Sequence, residues 1–298
     1  MRILITGGAG FVGASLARCF RDDDSRHEIV AFDNLHRAGS ELNARRFAGE
    51  GIRFVHGDVR LPGDLGAAGG PFDVLIEASA EPSVHAGTQG DSVRYLLDTN
   101  LGGLLNCLEY ARSQCGLLIF LSSSRVYSVP ALRSIRLEEG PSRLHPGPGD
   151  QPLGFTPDGV AEGFPVAEGF RSLYGATKLA SDKLFVAGNS YAGGHDTRFA
   201  VVRYGNVMGS RGSVIPFFMS IKDSGTLPIT DPRMTRFMIS LEQGVELVWH
   251  AFEDMVGGEV YVKKIPSMKV SDLATAVAPE AVQKVVGIRP GEKLHEQM

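Results

Sequence analysis

The chain opens MRILITGGAGFVG, a short apolar run followed by glycines at 7, 10 and 13. Glycine weakens the interior of a strand or a helix by about 0.5–1 kcal/mol. Three of them, where a strand must hand over to a helix, therefore need a reason. A strand–turn–helix unit of a parallel sheet supplies one. The first glycine makes the tight turn, the second lets the backbone approach an anion, and the third lets the helix pack closely on the strand. The helix N-terminus adds unpaired N–H groups and the positive end of its dipole. The spacing is G-x-x-G-x-x-G, one residue wider than the G-x-G-x-x-G form. Gly7, Gly10 and Gly13, with Phe11 and Val12 at the helix start, are thus expected to cradle a dinucleotide pyrophosphate.

Asp33 ends the next apolar run, 20 residues after Gly13. A carboxylate there accepts hydrogen bonds from adenosine ribose hydroxyls and repels a 2′-phosphate, which favours NAD over NADP. Arg37 nearby argues the other way. Asn34 adjoins Asp33. Asp58, followed by Val59, ends the third run, where it flanks the adenine or caps a loop.

Short apolar runs recur at Ile3–Thr6, Ile29–Asp33, Ile52–Asp58, Val74–Ala78 and Leu117–Ser122, and later at Phe199–Tyr204 and Val260–Lys263. Helical spacing lies between some of them: Val12, Leu16, Cys19 and Phe20, then Tyr95, Leu101, Leu104, Leu105 and Leu108. Strands alternating with helices predict an α/β fold, a Rossmann-like doubly wound parallel sheet with a small C-terminal substrate-binding lobe. The expected division is a dinucleotide-binding domain over 1–190 and, over 191–298, the last sheet strands interleaved with the lobe. Residues 129–170 carry 7 of the 16 prolines without any period. They read as a long loop or lid with neither strand nor helix.

Net charge is −4, from 34 acidic and 30 basic residues. That offers no basic field for nucleic acid. The three cysteines, Cys19, Cys107 and Cys115, fall in apparent helices and read as core residues of a reduced, cytoplasmic protein. The eight histidines form no metal-ligand pattern, so no metal is expected. The first apolar run is too short for a signal peptide, and no run of about 18 apolar residues could span a membrane.

The segment LYGATKLASDKL holds Tyr174 and Lys178, one helical turn apart on one face. A nearby ammonium favours the phenolate and lowers a tyrosine pKa from about 10. Such a tyrosine can take a proton from a sugar hydroxyl while hydride leaves for a nicotinamide. FLSSSRVYS ends the fifth strand, at the carboxyl edge where ligands of parallel sheets bind. A hydroxyl there can bond the reacting oxygen, although serines also simply cap strand ends.

Together TGGAGFVG, Asp33, ASA at 78–80, Asn100, SSS at 122–124 and YGATK at 174–178 resemble the extended short-chain dehydrogenase/reductase family acting on nucleotide sugars. The resemblance implies Ser123, Tyr174 and Lys178 as catalytic residues. It gives Lys178 a second role on the nicotinamide ribose, places Ala78, Ser79 and Ala80 beside the cofactor, and has Asn100 position the lysine. It further implies NAD as cofactor and a homodimer through helices at about 92–113 and 174–191.

Residues 1 to about 190 are most similar to CDP-paratose 2-epimerase and its relatives, through AFDNLHRAGSELN, SSSRVY and RSLYGATKLAS. Residues from about 198 are similar to the inverting UDP-N-acetylglucosamine 4,6-dehydratases, through VVRYGNVMGSRGSVIPFF, ITDPRMTRFMISLEQGVELVWHAFED and GIRPGEKLHEQM. Such a split suggests a chimera, and relatives continue past Met298, which suggests a truncated lobe. The resemblance places Asn206, Arg211 and Arg289 on a nucleotide diphosphate and Glu292 on a ribose. Arg236, Ser124 and Arg125 are further substrate candidates. The dehydratases carry Thr-Asp-Lys at the fifth strand end, where this sequence has Ser123, Ser124 and Arg125. The expectation is therefore an NAD-dependent nucleotide-sugar epimerase, with a 4,6-dehydratase or a non-catalytic NAD-binding scaffold as alternatives.

Overall fold

The structure is a computed structural model. It describes residues 1–83, 93–140, 144–156, 159–161, 163–189, 196–210, 213–288 and 294. The protein forms two compact units: Met1–Ser123 with Leu173–Arg203 and Leu241–Tyr261, and Ser124–Ser172 with Tyr204–Ser240 and Val262–Met298.

The first unit begins β1 (Arg2–Thr6), α1 (Phe11–Asp23), β2 (Glu28–Asp33), α2 (Ser40–Phe47), β3 (Arg53–His56), α3 (Pro62–Gly66) and β4 (Phe72–Glu77). Then α4 (Arg94–Leu97) passes through a π-helical turn at Asp98–Gly103 into α5 (Leu104–Gln114), followed by β5 (Cys115–Ser123). A helix at Leu173–Gly188, a strand at Arg198–Tyr204, a helix at Leu241–Asp254 and a strand at Val260–Val262 complete it. The seven-stranded parallel sheet runs Val260–Val262, Arg198–Tyr204, β5, β4, β1, β2, β3. β1 is flanked by β2 and β4, so the order reverses beside the glycine turn. Ile3–Ile5, Ile29–Phe32, Val74–Ile76 and Leu118–Phe120 are all buried. Such unbroken apolar runs are what strands covered on both faces require.

One face packs on α5 and the Leu173–Gly188 helix. There Leu75, Leu118 and Phe120 meet Cys107, Ala111 and Phe185. The Phe120 and Phe185 rings stack at 4.6 Å, a geometry that adds about 0.5–1.5 kcal/mol beyond burial. Elsewhere in the unit Phe20 of α1 meets Trp249 at 4.7 Å and Phe252 at 5.8 Å.

Two expectations need correction. Cys115 opens β5 rather than sitting in a helix. Its carbonyl oxygen accepts from Thr197, and burial pushes its thiol up to about 12. Residues 129–170 are not structureless either. They hold a helix at Val129–Arg133 and two antiparallel hairpins, Leu137–Glu139 with Leu144–Pro146 and Phe155–Thr156 with Gly159–Val160. Ser128 caps that helix by accepting from Ala131 N at 3.3 Å, worth about 1 kcal/mol. Pro130 sits in its first turn, where a missing N–H costs nothing. Gln151 stands in for a strand partner, accepting from Arg136 N and donating to Arg136 O, both at 3.0 Å. The prolines thus punctuate short elements too brief to show a period in sequence.

The rest of the second unit holds a small sheet in which Asn206–Val207 runs parallel to Thr235–Ile239, itself antiparallel to Ser267–Lys269. Thr226–Ile229 pairs in parallel with Val282–Val285. Phe218, Leu227, Ile229, Met234, Val270 and Ala274 form its core.

Candidate active site

The glycine turn is held by contacts that only glycine permits. Gly7 has φ +63, and a Cβ on it would meet Ala78 O at 2.6 Å. A Cβ on Gly13 would strike Gly7 O. The turn thus lies between α1 and the end of β4 with no room for side chains. Gly10 is the N-cap of α1, a helix with no hydrogen-bonding cap and no acid in its first turn. Its positive end, at Phe11, Val12 and Gly13, is left for another anion. A cradle that a Cβ would fill, beside an uncapped helix end, fits a pyrophosphate.

Asp33 ends β2 and is 9% exposed. Its Oδ2 accepts from Ala9 N at 3.1 Å and its Oδ1 from Leu35 N at 2.8 Å. The residue expected to grip a ribose therefore also ties down the glycine turn. Burial raises its pKa, against bonds from Leu35, Ala9 and Gly10. With three backbone N–H groups on a carboxylate that has about four acceptor directions, one direction is left for a hydroxyl.

Asp58 lies two residues past β3, not on the strand as expected. Asn34 Nδ2 donates to it at 2.9 Å, and Arg60 donates to both its oxygens through Nε and Nη2. Burial pushes this carboxyl up, but those bonds outweigh it and bring it down to about 2. The Arg60 guanidinium also sits 4.7 Å from the Tyr95 ring centroid, and the His36 ring lies tilted against that ring at 4.4 Å. Val59 O accepts from Asn106. Arg60, Tyr95 and His36 carry no sequence signal as site residues, because nothing marks positions so far apart as neighbours.

Ala78, Ser79 and Ala80 follow β4. Ala78 N donates to Thr6 O at 3.1 Å. Ser79 donates its N–H at 3.0 Å, and also its hydroxyl, to Glu77 Oε1. Asn100 lies in the π-helical turn. Its Oδ1 accepts from Glu81 N at 2.9 Å, and its Nδ2 donates to Glu81 O and Thr177 Oγ1, each at 3.2 Å.

Tyr174 occupies the first turn of the Leu173–Gly188 helix and is half-buried. Its carbonyl accepts from Thr177 Oγ1 at 2.8 Å. Lys178, 4% exposed, donates from Nζ to Leu121 O at 2.8 Å and lies 4.3 Å from the Phe120 ring centroid. Asn100 is therefore linked to the Tyr174–Lys178 turn through Thr177. Ser123 is the last residue of β5, three beyond the Glu77–Phe120 pairing that ends β4. Glu77 itself is buried, at a position that no motif in the sequence marks.

In the second unit Ser124 and Arg125 form a 3₁₀ turn, with Ser124 O accepting from Tyr127 N. Asn206 and Arg236 lie in the same three-stranded sheet. Asn206 Nδ2 donates to Phe237 O at 3.2 Å, and Arg236 Nη1 donates to Thr235 O at 2.7 Å and Leu294 O at 3.3 Å. Arg211, Arg289 and Glu292 lie outside the described residues. Among the described residues no three His, Cys, Asp or Glu side chains gather to hold a metal. No described helix is long and apolar enough to cross a membrane.

Two family descriptions match the sequence: 3-beta hydroxysteroid dehydrogenase/isomerase family over residues 4–135, and Polysaccharide biosynthesis protein over 169–298. A UDP-N-acetylglucosamine 4,6-dehydratase (inverting) of Campylobacter jejuni is 40% identical over 302 residues, covering 99% of this protein and 76% of the relative. The protein belongs to the extended short-chain dehydrogenase/reductase family. Another member, a UDP-glucose 4-epimerase of Rickettsia bellii, is 30% identical over 305 residues, with the same coverage of 99% and 76%. A solved family member, the dTDP-glucose 4,6-dehydratase DesIV double mutant of Streptomyces venezuelae with NAD and DAU bound, superposes with a TM-score of 0.77 at 25% identity. The match covers 99% of this protein and 87% of that one. With these dehydratases and this epimerase as relatives, this family member is an enzyme.

Proposed function

We propose that the protein is an NAD-dependent nucleotide-sugar epimerase acting through a transient keto-sugar. The observation that carries this reading is one unit holding the uncapped glycine turn, the Ser123 strand end and the Tyr174–Lys178 turn. Gly7, Gly10, Phe11, Val12 and Gly13 would hold the NAD pyrophosphate, Asp33 and Asn34 the adenosine ribose, and Asp58 and Val59 the adenine side. Ala78, Ser79, Ala80 and Asn100 would line the path toward the nicotinamide. NAD, when bound, supplies the hydride acceptor and later returns the hydride.

Tyr174, as phenolate, takes the proton of a sugar hydroxyl while Ser123 bonds the same oxygen. Lys178 stabilises the phenolate charge and would also hold the nicotinamide ribose. The oxidised carbon is planar, so reduction from its other face inverts it, and Tyr174 returns the proton. Asn206, Arg211, Arg236, Arg289 and Glu292, with Ser124 and Arg125, are proposed to bind the nucleotide-diphosphate sugar, guanidinium groups being suited to paired phosphate oxygens. A homodimer through α5 and the Leu173–Gly188 helix is supported by the exposed Leu105, Leu184 and Val186.

A second reading, 4,6-dehydration, is favoured by the 40% identity with the Campylobacter enzyme. Against it stands the end of β5. Elimination of water needs an acid and a base, and Ser124 and Arg125 replace the pair that the dehydratases carry there. Arginine keeps its proton and a hydroxyl does not substitute for a carboxyl. Incubation with UDP-N-acetylglucosamine and with UDP- and CDP-hexoses, read by mass spectrometry and NMR, separates these readings. An epimer supports the first, and a 4-keto-6-deoxy sugar the second. NAD retained without turnover on any of them removes both and leaves a scaffold. Tyr174→Phe is expected to keep NAD and lose turnover.

A further inference from the structure

We propose that Glu77 is the counter-ion of Lys178 and, through it, a positioning residue for Tyr174. The inference rests on Tyr174 being the base.

Register puts the two charges on one side of the sheet. Glu77 is the β4 partner of Phe120 on β5 and the partner of Thr6 on β1. Partners on adjacent strands share a face of the sheet. Phe120 identifies that face: its ring stacks on Phe185 of the Leu173–Gly188 helix, and the Lys178 ammonium sits 4.3 Å from its centroid. Glu77 thus leaves the sheet on the side where Lys178 arrives. Both are almost wholly buried, at 2% and 4% exposure.

The other groups facing this spot do not supply the missing charge. Ser79 gives Glu77 a neutral amide and a neutral hydroxyl. Thr6 is neutral. Cys107 of α5 is wholly buried, and burial together with Glu77 holds its thiol well above the usual range, so it stays protonated. Asp182, the second carboxylate acting on Lys178, is engaged by Arg203 at 2.9 Å. Leu121 O takes one of the three ammonium donors and the Phe120 ring face offers only a weak attraction.

Burial pushes Glu77 up and Lys178 down, and each charge opposes the shift of the other. An isolated charge at either place would be strongly disfavoured, whereas the two together are tolerated. Without the carboxylate, Lys178 would give up its proton more readily. Tyr174 would then lose the cation that favours its phenolate.

The test uses the NAD-loaded protein and the ultraviolet absorbance of tyrosinate. Subtracting the titration of Tyr174→Phe from that of the parent isolates Tyr174. The same subtraction in the Glu77→Gln background is expected to raise the Tyr174 midpoint by about one pH unit or more. Glu77→Asp, which keeps the charge, is expected to recover part of the shift. An unmoved midpoint in Glu77→Gln overturns the proposal.

Thermal unfolding gives an independent reading should Glu77→Gln fold poorly. Glu77→Gln with Lys178→Met is expected to melt higher than Glu77→Gln alone, because no charge is left stranded. Additive losses overturn the pairing. If instead Tyr174→Phe leaves turnover intact, the reading of Tyr174 as base fails, while the Glu77–Lys178 coupling is still decided by the melts.

Discussion

Asn100 Nδ2 lies 3.2 Å from Thr177 Oγ1, joining the π-helical turn to the helix that carries Tyr174. The same amide brackets the backbone of Glu81, whose carboxylate meets Arg37 at 3.4 Å. Thr177 in turn donates to Tyr174 O. A continuous polar relay thus runs from the loop after β2 to the first turn of the tyrosine helix.

Asn100→Ala should loosen both ends of that relay. It takes a donor from the Thr177 hydroxyl and leaves the backbone N–H and C=O of Glu81 without the amide. A loss of about 1–3 kcal/mol is expected, read by denaturant unfolding. Turnover is expected to fall further than the stability loss explains, measured at a temperature where the variant is fully folded.

Gly13→Ala drives a Cβ into Gly7 O, a backbone atom that cannot swing aside. Overpacking of this kind costs about 1–3 kcal/mol. Calorimetry with NAD should show binding lost or greatly weakened even where the variant stays folded. Gly49→Ala, at a position with open space around it, is the matched control and should bind as the parent does.

Asp33→Asn tests the ribose contact. Charged acceptors give the stronger hydrogen bonds, about 1.5–3 kcal/mol each. NAD affinity is expected to fall at least about tenfold, which is 1.4 kcal/mol. Discrimination against NADP should narrow, since the repulsion of a 2′-phosphate goes with the charge. Parallel titrations with both dinucleotides check this.

Asp58 sets a pH signature. Its folded pKa of about 2 lies below its ordinary value of 3.8. The stability it contributes is therefore fully present above about pH 4 and is lost as pH falls toward 2. The gap in unfolding free energy between the parent and Asp58→Asn should be flat at higher pH and shrink across that window.

The sheet was legible because its strands are continuous apolar runs; Asp33 was marked by its distance from the glycine turn, and Tyr174 with Lys178 by one-turn spacing taken together with the family resemblance. What escaped was set by tertiary contact. Asp58 slid off β3 because Arg60 and Asn34 bind it in the following loop. Cys115 moved from helix to strand because β5 begins one residue after α5 ends. The short elements in 129–170 rest on side chains filling backbone roles, Gln151 beside the first hairpin and Ser128 at the helix start, which leaves no periodic trace. Glu77 closes the run FDVLIE, which already holds one exposed acid, Asp73, so nothing in that strand singles it out. Its meaning depends on register with Phe120, which one strand read alone does not contain.

The sheet's last two strands, Arg198–Tyr204 and Val260–Val262, come from sequence after residue 190, and the first of them lies against β5. A recombination point near 190 would therefore cut through the sheet rather than between modules. Any donor segment would have to bring a strand fitted to the β5 border, and a fragment stopped at 190 would present that border bare to other proteins. Exchange of parts in this protein is constrained by edge pairing as well as by chemistry.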